Sequence, residues 1–107
     1  MNQPATEADI PRLNPLRVVR MRSLLEAALA PNALAVLDDS HRHAGHTGAR
    51  GGQGHFTVEV VSAAFAGKPQ LERHRLVYAA LGDMMQTDIH ALAIRAWAPG
   101  EQPDDAR

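Results

Sequence analysis

Two runs of β character, 56–60 and 89–97, stand on either side of a segment with helical period. That order constrains the fold more than any other feature of the chain. In the first run Phe56, Val58 and Val60 alternate with Thr57 and Glu59, the pattern of a strand with one face buried. Between the runs, Leu71, His74, Tyr78, Leu81 and Met85 recur at helical spacing, which predicts a helix from Leu71 to about Gln86. Two strands joined through a helix lie parallel in one sheet. A further run, Ala33–Asp39, adds a strand ahead of them and makes the sheet mixed.

The remaining elements follow from punctuation. Residues 1–13 are polar and contain prolines, and read as a flexible arm. Asn14-Pro15 reads as a helix start, with Asn14 as cap and Pro15 at the first helical position. Val18, Met21, Leu25, Ala28 and Leu29 form its apolar stripe, with Arg17, Arg20 and Arg22 mostly off it; Pro31-Asn32 ends it. Residues 40–54 hold five glycines and three histidines and form a long loop. Ser62–Ala66 is one helical turn stopped by Gly67. Ala-Pro-Gly-Glu after Trp97 closes the last strand, and 99–107 read as a frayed tail. The expectation is an α+β domain over 14–98, of order α-β-β-α-α-β, with a three-stranded mixed sheet and helices on one face. That order is similar to the class II KH-like fold.

Composition narrows the chemistry. The chain has 107 residues, one domain's worth, and only 4% are aromatic, so its core is expected to be aliphatic. A formal charge of −1 gives no general pull toward nucleic acid. With no cysteine there is no disulfide, no thiolate nucleophile and no thiolate metal site. No apolar run approaches a membrane span and the N-terminus has no signal-peptide core, so a cytoplasmic protein is expected. Protonating the six histidines would move the charge from −1 to +5, which makes the surface sensitive to pH near neutrality.

No catalytic constellation emerges. Ser40 and Ser62 have no triad context, and Asp38 and Asp39 lie at a strand end, where loop bonding is their usual role. The glycines of 45–54 lack the Lys-Ser/Thr of a phosphate loop. His41, His43 and His46 form H-x-H-x-x-H, which could take zinc or nickel alone or be an exposed loop. His90 shares strand parity with Leu92 and Ile94 and is placed at the rim of the helix-covered face. By itself it reads as a strand-start histidine bonded to a nearby carbonyl. His74, on its helix stripe, reads as structural, with Arg73 and Arg75 as solvated charges beside it.

Four segments taken together carry a resemblance. They are Asp38-Asp39-Ser40-His41-Arg42-His43, His55 to Ser62, the run from Phe65-Ala66-Gly67-Lys68-Pro69 through Arg73-His74-Arg75 to Leu81, and His90-Ala91-Leu92-Ala93-Ile94. The chain resembles the BolA family on them, over about 18–98. The resemblance implies a partner of monothiol glutaredoxins that co-ligates or receives a [2Fe-2S] cluster. Glutaredoxin would supply its cysteine and a bound glutathione thiolate. This chain would supply His90 and a loop histidine, His43 first and His46 second, the extra glycines and His46 departing from common loop spacing. No cofactor is expected in the isolated chain, which would be a monomer or weak homodimer. Histidine ligation raises the reduction potential of such a centre and makes the bond protonatable, so coordination should weaken below about pH 6.5.

The family's alternative role is DNA-binding transcriptional regulation of morphology and stress responses, with Lys68, Arg73 and Arg75 as the phosphate-facing patch. Gly67-Lys68-Pro69-Gln70 takes the place of a KH Gly-x-x-Gly clamp, but lacks its second glycine, and Pro69 removes a donor.

Overall fold

The computed structural model describes residues 10–40 and 54–103. Helix α1 (Ile10–Leu29) leads into β1 (Ala33–Asp38); β2 (Gly54–Val61) is followed by a 3-10 turn at Ala63–Phe65. Then come α2 (Gln70–Leu81), the short α3 (Met84–Thr87) and β3 (Ile89–Trp97). The sheet order is β1-β2-β3, with β1 antiparallel and β3 parallel to β2. The mixed sheet expected from the crossover is therefore formed.

Phe56, Val58 and Val60 are buried on the helix-covered face of β2. In register beside them lie Leu34 and Val36 of β1, and Leu92, Ile94 and Ala96 of β3. Met21, Leu25 and Leu29 of α1, Val77 and Leu81 of α2, and Met84 of α3 close over this surface. The core is aliphatic except for Phe56 and Phe65, which are both fully enclosed.

Four local expectations are corrected. Helix α1 begins at Ile10 and contains Pro15, rather than starting at Asn14-Pro15. Asn14 is buried, and its Oδ1 accepts from Arg17 Nη1 at 3.0 Å instead of capping the helix. Arg17 also faces inward, whereas Ala28 is exposed. The expected helix from Leu71 to Gln86 is interrupted at Gly82, whose φ of 56° and ψ of −129° suit glycine; its N–H closes α2 on the Tyr78 carbonyl.

The buried face of α2 is Arg73, Val77 and Leu81, with Leu76 and Ala80 packed beside it. Leu71 and Tyr78 of the expected stripe are 62% and 42% exposed, and His74 is half-buried on the flank. The helix is rolled because Arg73 is drawn inside. Its Nε donates to the Lys68 carbonyl at 2.7 Å and its Nη1 to the Ala96 carbonyl at 3.2 Å. Two further bonds, of 2.6 and 3.2 Å, run to the carboxylate of Glu101.

Glu101 also accepts from the Ala98 N–H at 3.0 Å. Residues 98–101 are thereby tied to α2. Arg73 caps β3 at Ala96 as Arg22 caps β1, by donating to the Leu34 carbonyl at 3.1 Å. Carbonyls at the two sheet edges are thus taken by arginines.

Ser62 joins α1 to the sheet. Fully buried, it donates to the Leu29 carbonyl at 2.6 Å and accepts from the Ala64 N–H at 3.1 Å. Ser62→Ala removes both bonds and leaves the Leu29 carbonyl without that donor. The expected cost is about 1–2 kcal/mol, read as a lower urea midpoint with an unchanged m-value.

Candidate histidine site at the sheet end

The site is built where β2 and β3 begin. Gly54 pairs with Ile89, but His55 pairs with Ala91, so β3 carries one residue more than β2 at this point. His90 is that extra residue, and such a bulge re-aims a side chain. Ile89 takes the core position and is 3% exposed, while His90 is exposed. The expectation that His90 keeps the parity of Leu92 and Ile94 is corrected by the bulge.

His90 meets His55. The ring centroids are 5.0 Å apart and the planes are tilted by 51°. His55 alternates with Phe56, which places it on the face away from the helices, yet it is only 8% exposed. Its backbone is fixed on both sides: its N–H donates to Ser40 Oγ at 3.0 Å and its carbonyl accepts from the Asp39 N–H at 2.8 Å. The Asp38 carboxylate accepts from the Ser40 N–H at 2.9 Å, and Asp39 accepts from the Thr57 hydroxyl. Both aspartates therefore serve the strand end, as their position predicts.

The loop histidines His41, His43 and His46 lie outside the described residues. The residues that flank the loop are both at this sheet end. Ser40 holds His55, and the Gly54 N–H donates to the Asp88 carbonyl at 2.9 Å, two residues before His90.

Asp88 anchors the start of β3 to α1. Its Oδ2 accepts from Arg17 Nε at 3.0 Å, and its other oxygen accepts from the Thr87 hydroxyl. Partial burial pushes this carboxyl up, but the bonds from Thr87 and Arg17 and the charges of Arg17 and Arg20 outweigh it and hold the carboxyl below its ordinary range. Glu101 is held low as well, chiefly by the Arg73 guanidinium and then by the Ala98 amide.

Both carboxylates are more acidic folded than unfolded, so the stability they give is complete above the ordinary carboxylate range. It is lost as the pH falls through their folded values, from about pH 4 downward. A melting-temperature profile over about pH 2.5–7 should show that acid decline, and Asp88→Asn should flatten it.

The expected basic patch is only partly presented. Lys68 and Arg75 are exposed. Arg73 is buried on Glu101, the Lys68 carbonyl and the Ala96 carbonyl, which corrects its reading as a solvated cation. The Lys68 N–H donates to the Phe65 carbonyl at 3.0 Å and so is spent inside the turn that replaces a KH clamp. His55 is the site residue that sequence reasoning missed. Its position one residue ahead of Phe56 was legible, but its meeting with His90 depends on the bulge.

A helix-backed, three-stranded mixed sheet with a histidine bulged out at its end defines a small α+β domain of the BolA type. The chain belongs to the BolA family: the model of the BolA-like protein family matches residues 25–101. The solved BolA domain of SufE1 from Arabidopsis thaliana superposes with a TM-score of 0.71 at 43% identity, over 80% of this chain and 95% of that one. The chloroplastic protein BOLA1 of the same plant is 42% identical over 90 residues, 81% of this chain and 56% of that protein. The DNA-binding transcriptional regulator BolA of Escherichia coli (strain K12) is 38% identical over 78 residues, 73% of this chain and 71% of that protein. The chain spans between 24% and 61% of the length of the first curated relatives it matches. Among the described residues, no helix is long and apolar enough to cross a membrane.

Proposed function

We propose that this chain is a binding partner of a monothiol glutaredoxin in iron and redox regulation, and that it works in the cytoplasm. It contributes His90 and a loop histidine, His43 first and His46 second, to a [2Fe-2S] cluster shared with glutaredoxin and its glutathione. The observation that carries this reading is the bulge, which turns His90 out of the core and exposes it at the sheet end from which the histidine loop departs.

The donor set is consistent with a shared group. An exposed neutral imidazole is a good ligand for borderline metals, and a second protein can reach it. In this reading His90 supplies one bond of a set that the loop histidine, glutaredoxin and glutathione complete. Such a cluster supplies one-electron chemistry, at a potential raised by histidine ligation. The chain's own contribution is positional. The Arg17–Asp88 pair and the Gly54–Asp88 bond fix the start of β3, and His55 backs the His90 ring.

The test is to mix the protein with a cluster-loaded monothiol glutaredoxin and record visible absorption and circular dichroism. The native chain is expected to change the spectrum from that of glutaredoxin alone, and His90→Ala is expected to abolish the change. A native spectrum identical to glutaredoxin's own would refute co-ligation.

A second reading is DNA binding, favoured by the E. coli relative's name and by the exposed Lys68, in the turn before α2, and Arg75, on α2 itself. It predicts weaker binding, with a shallower salt dependence, in Lys68→Ala plus Arg75→Ala. Binding unaffected by that pair would remove this patch from consideration.

A further inference from the structure

β3 ends the sheet, and the bonds at its far end show which of its backbone groups face outward. The Ser62 N–H donates to the Trp97 carbonyl at 2.9 Å, so Trp97 faces β2. In a parallel pair, residues along one strand alternate between bonding the neighbour and facing away. Ala91 to Trp97 pair with β2 in unbroken register. Ala91, Ala93 and Arg95 therefore turn their N–H and C=O toward β2, while Leu92, Ile94 and Ala96 turn theirs away. The Arg73 bond to the Ala96 carbonyl agrees with that direction. Leu92 and Ile94 thus hold four backbone polar groups out at the edge, and among the described residues no bond takes them.

Sheet edges are ordinarily blocked by a proline, an outward charge, a bulge or a covering side chain. Here the bulge at His90 and the Arg73 bond at Ala96 mark the two limits of an open stretch. Between them stand Ala91, Leu92, Ala93, Ile94 and Arg95, with no proline. Arg95 is drawn onto the sheet by Glu59, at 3.7 Å. Ala91 and Ala93 are exposed, and Leu92 and Ile94 pack against the core yet stay only half-buried. The edge at β1 differs: Arg22 takes its Leu34 carbonyl, and the strand ends on the charged Asp38.

A row of unpaired backbone groups takes an extended strand as its partner. We propose that this strand is β3 of a second copy of the chain, paired antiparallel about a two-fold axis at Ala93. The stretch is self-complementary about that axis. Leu92 of each copy meets Ile94 of the other, apolar against apolar, and Ala91 meets the stem of Arg95. The Leu92–Ile94 pairs are hydrogen-bonded pairs, so they take all four outward groups of each chain. An axis at Ile94 would need the Ala96 carbonyl, which Arg73 holds, and an axis at Leu92 would need the bulged His90. The interface is isologous and closed, and joins two three-stranded sheets into one of six. It does not rest on the glutaredoxin reading.

The experiment is sedimentation velocity of the isolated full chain between about 10 μM and 1 mM. A dimer that grows with concentration is expected. Ala93→Lys, at an exposed position, sets two like charges face to face on the axis and should weaken the dimer at least about tenfold. The chain has no cysteine, so single cysteines report the register. In a glutathione redox buffer Ala93→Cys should form a disulfide-linked dimer, because the two copies of residue 93 meet at about 4.5 Å between Cα atoms. Ala91→Cys should not, its two copies lying roughly 13 Å apart along the strands. The cysteine pair decides the matter if Ala93→Lys fails to fold. A native chain that stays monomeric up to about 1 mM overturns the proposal and leaves the edge to an extended strand of another protein. A dimer unchanged by Ala93→Lys, or cross-linked at Ala91→Cys and not at Ala93→Cys, overturns it as well.

Discussion

Phe56→Ala is expected to destabilise the domain by about 3–5 kcal/mol. The ring is 2% exposed and lies on the helix-covered face of β2, with Val58 and Val60 following it at the same parity. Truncation removes the transfer energy of the ring. It also opens a void between sheet and helices that a strand paired on both sides cannot collapse to fill. Domains of this size hold about 5–15 kcal/mol in total, so the variant should be close to its folding limit. Thermal unfolding should show a melting temperature lower by roughly 15–25 °C. A fall of only a few degrees would mean that the ring is not the centre of the core.

The second large effect is expected at Gly54. A Cβ built there would lie 2.6 Å from Phe56 Cε2, 2.7 Å from Phe56 Cζ and 3.0 Å from Ser40 Oγ. The ring is packed and cannot swing aside, and Ser40 is holding the His55 backbone. Gly54→Ala must therefore displace either a core side chain or the support of the site, at about 1–3 kcal/mol. The effect should also reach function, because the Gly54 N–H bonds to Asp88, just before His90. The double variant Gly54→Ala, Phe56→Leu takes away the clashing ring atoms. It should cost less than the two single changes added together, with a coupling of about 0.5–3 kcal/mol measured by urea unfolding. Additive costs would show that the close approach is not what demands glycine.

The architecture was legible because it rests on periodicity and order. Alternation at Phe56, Val58 and Val60 marked the buried face of β2, and a helical crossover to 89–97 required parallel pairing. The helix phases were less legible. On α2 the residues Leu71 and Tyr78 are more apolar than Arg73, yet Arg73 is the one inside. Hydropathy could not anticipate this, because the partners that compensate its burial are distant in sequence: Glu101 lies 28 residues on and the Ala96 carbonyl 23. On α1 the same holds for Arg17, whose partner Asp88 is 71 residues away.

The site divides in the same manner. His90 could be singled out from the sequence, but its direction could not, since strand parity assumes an unbroken ladder and the bulge adds a residue. His55 escaped notice because nothing local distinguishes a histidine that begins a strand from one that meets another histidine across it. The contact with His55 changes the reading of His90 from a rim residue on the helix side to one half of an imidazole pair at the sheet end. The burial of Arg73 leaves Lys68 and Arg75 as the cations that α2 and its turn present outward.

In the proposed function the fold delivers His90 as a ligand to a cluster brought by a glutaredoxin. The most direct measurement is pulsed electron paramagnetic resonance of the reduced mixed complex, made with histidine-nitrogen-15 labelled protein and unlabelled glutaredoxin. A nitrogen-15 hyperfine coupling typical of a directly bound imidazole is predicted for the native chain, with the His90 contribution lost in His90→Ala while the variant still folds. A complex showing no nitrogen-15 coupling, or the same couplings with and without His90, would contradict the account.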